Sequence, residues 1–196
     1  MDPNVTLNRV LRLIKLDTSV FDEVRDDANE LIPALIVAAV SALLAGLGSF
    51  LWWQIHYEGN LDGLFLNTFI LGSVFLAAMY AVWVLIAYVI LVQMYKLQVD
   101  LNSLLRTMGY AALPLAAGVL GFLPVLYPVF WIVPLALLLV TSAYAVQSAS
   151  GAASNQVVVA NIIGFSVMVL VLGVIAMSGD NAPMGAGIFA FLYEIP

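Results

Sequence analysis

The chain has 196 residues, 64% of them hydrophobic and 9% charged, with a mean hydropathy of +1.07. Soluble domains carry about 25% charged residues, so this composition excludes them and describes one helical membrane unit. No cysteine is present, hence no disulfide framework or thiolate chemistry, and the net charge of −6 gathers in one acidic cluster, which argues against nucleic acid as a partner.

Residues 5–16, VTLNRVLRLIKL, are amphipathic. Leu7, Val10, Leu11 and Ile14 share one helical face, Arg9 and Arg12 lie opposite, and Lys15 is on the flank. Two readings fit: an interfacial helix on an anionic leaflet, or a solvated helix packed on the rest of the cytosolic side.

Residues 19–33, SVFDEVRDDANELIP, read as a second helix. Ser19 ahead of Asp22 resembles a capping box; Val20, Phe21, Val24, Ala28 and Leu31 line one side. Asp22, Glu23, Asp26, Asp27 and Glu30 line the other, with Arg25 at the border. Like charges at i,i+4 cost about 0.2–0.5 kcal/mol per pair when nothing offsets them. Solvation, a divalent cation, a basic partner or the segment around Arg106 would each relieve the repulsion. The alternate-acid spacing of a calcium loop is absent, and no metal or cofactor is expected.

Five spans follow, at 31–53, 65–95, 110–123, 127–145 and 157–177. The first opens after Glu30, ends in a Trp52-Trp53 anchor, and carries small-residue ridges at Ala38, Ala42 and Gly46 and at Ser41, Ala45 and Ser49. It follows acidic residues and is too long for a signal peptide. The second exceeds the ~30 Å hydrocarbon core and must tilt or emerge near residues 93–96. Between the second and third lies a charged interruption, residues 100–114. Asp100 caps a short helix there, on which Leu101, Leu104, Leu105 and Met108 share a face. Pro114 withholds an N–H from the Tyr110 carbonyl, and Pro134 does the same to Phe130. The third and fourth spans form a hairpin turning at residues 124–128. The linker QSASGAASNQ before the fifth is small and polar, and 188–193 reads as an interfacial anchor.

Every Lys and Arg lies either before the first span or, as Lys96 and Arg106, between the second and third. The positive-inside rule then puts the N-terminus and residues 100–114 in the cytosol and the C-terminus outside. No ionisable side chain lies within a span, whereas ion pathways and proton relays usually need one. His56, beside Tyr57 and Glu58, reads as ordinary loop surface. No Ser-His-Asp set, phosphate loop or HExxH motif occurs, and no enzymatic activity is expected. Asn161 is read as an interhelical hydrogen-bonding residue, and Tyr80, Trp83 and Tyr88 as core or belt aromatics.

The amphipathic lead, the VFDEVRDD segment, five spans and GYxxxP at Gly109-Tyr110-Ala111-Ala112-Leu113-Pro114, preceded by Leu104-Leu105-Arg106, together resemble the Yip1 family of membrane proteins. The resemblance covers nearly the whole chain and implies a five-span protein with a cytosolic N-terminus, of the short type found in bacterial or archaeal plasma membranes. Eukaryotic members act in vesicle trafficking and bind prenylated small GTPases of the Rab type. Their long cytosolic N-terminal region and DLYGP motif are missing here, which leaves small-GTPase binding doubtful.

The expectation is therefore an all-α polytopic protein in three parts: a cytosolic amphipathic and acidic segment (1–30), a five-helix transmembrane domain (31–177) and an extracytoplasmic tail (178–196). Its expected role is non-enzymatic membrane organisation or protein docking, with the bilayer and either a second copy or another membrane protein as partners. The interaction face would be cytosolic and comprise Asp22, Glu23, Arg25, Asp26, Arg106, Gly109, Tyr110 and Pro114. The alternative is a channel, transporter or lipid-translocating protein for uncharged or amphipathic substrates, suggested by the proline-broken spans.

Overall fold

The structure, a computed structural model, describes residues 3–56, 62–123 and 126–177. All regular structure among them is helical: α1 (Pro3–Ile14), α2 (Val20–Asp26), α3 (Leu31–His56), α4 (Gly72–Val89), α5 (Leu101–Ala111), α6 (Tyr127–Ser150) and α7 (Ser154–Met177). A 3-10 turn, Ala28–Glu30, leads into α3; π-helical turns Phe65–Leu71 and Ile90–Met94 flank α4; a 3-10 stretch, Leu113–Phe122, continues α5. Five of the resulting segments are long and apolar enough to cross a membrane: Ala28–Ile55, Phe65–Met94, Leu101–Phe122, Val129–Ser150 and Ser154–Ile175. The chain is an all-α, multi-pass membrane protein.

Several boundaries differ from the sequence reading. The expected helix over 19–33 breaks at Asp27, whose backbone is extended (φ −94°, ψ 101°) and whose side chain accepts from the Asn29 N–H. That break takes Glu30 off the acidic face. The third apolar run starts at Leu101, nine residues before the expected 110, and takes in much of the charged interruption, so the reading that no ionisable side chain lies within a span fails at Arg106, as it does at Glu30 in Ala28–Ile55. Asp100 does cap it, accepting from the Asn102 and Ser103 N–H groups. The expected linker, residues 147–156, is mostly helix, because α6 runs on to Ser150 and the turn is Gly151 in the left-handed region (φ 62°). The 178–196 tail, the 188–193 anchor, the loop residues 57–61 and the turn residues 124–125 lie outside the described residues.

Helices in lipid gain little from the hydrophobic effect and rely on close van der Waals approach. Here α3 lies along the third span, and a Cβ on Gly48 would fall 2.0 Å from the Gly118 carbonyl oxygen. The ridge residues Ser41, Ala42, Ala45 and Ser49 are buried, whereas Ala38 is only partly so. On the other side α4 packs on α7, where fully buried Trp83 meets Phe165 and Tyr80 edge-on at 5.3 and 5.4 Å. Trp52 and Trp53 are also buried, 4.9 Å apart against Leu64, instead of facing a lipid interface.

Near Pro114 the backbone acceptors find side-chain donors in neighbouring spans. Thr141 Oγ1 donates to the Ala111 carbonyl (2.9 Å) and the Tyr80 hydroxyl to the Met108 carbonyl (2.7 Å). At the end of α5 the Ala112 N–H donates to the Met108 carbonyl (3.2 Å). Asn161 Nδ2 likewise donates to the Leu139 carbonyl (2.9 Å), tying α7 to α6.

Candidate functional site

α1 and α2 form a cap on one end of the bundle, against the start of α5 and the end of α6. The turn between them is set by Asp17. Its carboxylate accepts from the Ser19 hydroxyl (2.6 Å), the Ser19 N–H (3.1 Å) and Arg12 Nε (2.8 Å). Ser19 therefore bonds back to Asp17 and makes no capping-box contact with α2. These bonds, the Ser19 hydroxyl first and Arg12 second, hold the Asp17 carboxyl below its ordinary value.

The acids of α2 meet guanidinium groups, and most of them come from α1. Arg12 Nη1 lies 2.7 Å from Glu23, and Arg9 approaches Glu23 at 3.7 Å, Asp27 at 3.4 Å and Glu30 at 2.6 Å. Burial works against the Arg9 charge, but Glu30 and Asp27 outweigh it and the guanidinium is held more firmly protonated than usual. Arg25 pairs with Asp26 (2.7 Å) and Asp22 (3.1 Å), which pushes the Asp26 carboxyl below its ordinary value. Arg25 also donates to the Ser148 carbonyl (3.1 Å), while the Ser148 hydroxyl donates to Asp22 (2.7 Å), fastening α2 to α6.

Beneath this network is a buried triad. Glu30 is 6% exposed; one carboxylate oxygen faces Arg9, and the other accepts the Tyr110 hydroxyl at 2.5 Å. A carboxylate at the mouth of an apolar span is expensive unless both oxygens are partnered, and here both are.

Arg106 does something other than pair with acids. Its Nε donates to the Val24 carbonyl (3.0 Å) and its Nη2 to the Arg25 carbonyl and Ser103 Oγ (2.9 Å for the latter). Those carbonyls belong to the last turn of α2, where no intrahelical partner exists and a cation is favoured. Its nearest carboxylate, Asp100, is 4.0 Å away. Arg106 is thus the C-terminal cap of α2, supplied from α5.

The eight residues expected to form one exposed face divide accordingly. Asp22, Glu23, Arg25 and Asp26 are on the outer surface of the cap, whereas Arg106, Gly109 and Tyr110 are buried beneath it. Gly109 is there for proximity: a Cβ would stand 2.6 Å from the Ala34 carbonyl oxygen of α3. Pro114 lies one turn further in, on the wall of an apolar groove. Sequence reasoning missed Arg9 and the separate role of Glu30. The usable signal was position, since Glu30 is the acid directly abutting the first apolar run.

α1 packs on the cap through Arg9 and Leu13 and leaves most of its apolar face outward. Its buried residues are Arg9 and Leu13, while Leu7, Leu11 and Ile14 are 57%, 49% and 63% exposed. Among the described residues, no three His, Cys, Asp or Glu side chains come together as a metal-binding group. Comparisons with protein-family models, curated proteins and solved structures give no match.

Proposed function

We propose that this multi-pass membrane protein is a non-enzymatic docking or membrane-organising element of the Yip1 type, in a bacterial or archaeal plasma membrane. The cap faces the cytosol and the C-terminus lies outside; its partner is a second copy or another membrane protein. The observation that carries this reading is the orientation of α1. Its cations are consumed by α2, and its apolar face is left outward at the level where the spans begin. A helix so placed lies in the membrane interface, holding the acidic surface of α2 at a set height above the bilayer. The basic residues all lie in the N-terminal segment or near the start of the third span, which supports the orientation. Gly109, Tyr110 and Pro114 of the GYxxxP motif all act where cap and third span join, which supports the family reading.

A second reading, translocation of lipid or another amphipathic substrate, is favoured by the helix break at Pro114 beside the apolar groove. Reconstitution in liposomes separates the two. A docking element passes neither ions nor small polar solutes and does not speed lipid flip-flop, and crosslinking from Asp26 captures a second copy or one specific protein. Saturable flux or scrambling that falls in Pro114→Ala would overturn it.

A further inference from the structure

α1, α2, the third span and α6 enclose an apolar groove of about 370 Å³. Ile14 and Leu16 form its lip, Phe21 its upper wall, and Pro114, Ala117 and Leu137 its membrane side. Its two hydroxyls are already committed, Tyr110 to Glu30 and Thr141 to the Ala111 carbonyl. A polar ligand would lose hydrogen bonds to water and regain none, so the groove suits hydrocarbon.

The charge pattern says what kind of amphiphile. Arg9, Arg12, Arg25 and Arg106 each have a carboxylate within 4.0 Å. Among the described residues Lys15 and Lys96 have no carboxylate within 4.0 Å; Lys15 does not line the groove itself but is exposed and lies in the chain between Ile14 and Leu16, which do. Apolar walls with one unsatisfied cation at the rim match an acyl chain carrying an anionic head. We propose that the groove holds one acyl chain of an anionic phospholipid, with Lys15 on its phosphate. This rests on the interfacial seating of α1 described above.

The test uses the full-length protein reconstituted in mixed phosphatidylglycerol and phosphatidylcholine liposomes, extracted into mild detergent, and weighed intact by mass spectrometry. One phosphatidylglycerol should stay bound per chain. Lys15→Gln should lower the retained phosphatidylglycerol-to-phosphatidylcholine ratio about fivefold, and Lys96→Gln should leave it unchanged. Ala117→Trp, which fills the groove from an exposed position, should abolish retention; Ala116→Leu serves if that variant fails to fold. Undiminished retention in a folded groove-filled variant would overturn the proposal, as would a Lys15-independent ratio. Disulfide-linked dimers of Ala117→Cys would also overturn it, making the groove a contact between copies. Proline-dependent flux would sink the docking reading while leaving lipid retention intact, so the two failures are distinguishable.

Discussion

Glu30 shows how much a single side chain at the membrane boundary is asked to do, since Arg9 takes one oxygen and Tyr110 the other. Removing one partner of a buried pair leaves an uncompensated charge, whereas replacing both is far milder. Arg9→Met should therefore destabilise the cap by about 3 kcal/mol, and Arg9→Met combined with Glu30→Gln by clearly less, read as detergent-solubilised thermal melts with Glu30→Gln alone closing the double-mutant cycle. At Gly109 two effects oppose each other. Alanine gains up to about 1 kcal/mol of helix propensity, but its methyl meets the Ala34 backbone carbonyl at 2.6 Å, which no rotamer change relieves. Overpacking of about 1–3 kcal/mol wins, and Gly109→Ala should melt lower than wild type. Asp17 gives a pH dependence. Its pKa is depressed in the folded cap, so its stabilising contribution is present above the ordinary value of 3.8 and is lost as pH falls through the lower folded value. A nitroxide at Asn8→Cys should keep its mobility between about pH 5 and 7 and loosen only below the ordinary aspartate range.

At the scale of elements, α2 is the instructive case because seven residues cannot hold a helix alone. Burial of Val20, Phe21 and Val24 anchors one side, and Arg106 satisfies the carbonyls at its end. Arg106→Ala should leave the five spans intact yet raise the mobility of a nitroxide at exposed Ala28→Cys. Arg106→Lys should rescue only part of it, because an ammonium cannot reproduce the guanidinium fork. Unchanged mobility in Arg106→Ala would mean that apolar burial alone holds α2. For α1, the exposed Leu7, Leu11 and Ile14 face predicts interfacial residence. A nitroxide at Leu7→Cys in liposomes should be more accessible to oxygen than to an aqueous nickel chelate, and the reverse order would show α1 standing in water.

For the molecule as a whole, the cysteine-free sequence allows the proposed orientation to be checked directly. A single cysteine at Asn4 should react with impermeant reagent only from the cytosolic side, and one at Gly59 only from outside; labelling of both from one side would overturn the orientation. The sequence by itself determined an all-α chain with five spans, because run length and apolarity are local properties summed along the chain and depend on no distant partner. The Asp100 cap was legible for the same reason, lying within three residues of its donors. Span ends were legible only within a few residues, since α6 and α7 continue through polar sequence that a packed neighbour and Gly151 allow to stay helical. The cap was decided by tertiary structure alone. Periodicity identified the two faces of α1 but not which one turns inward, and that depended on Glu30 meeting Tyr110 from 80 residues away and on Arg106 reaching carbonyls 81 and 82 residues upstream. Such pairings become favourable only once the spans have brought distant segments to one end of the bundle. A buried charge then takes whichever partner the packing presents, which is why the acidic side read along residues 22–30 folds into interlocked ion pairs with Arg9, Arg12 and Arg25.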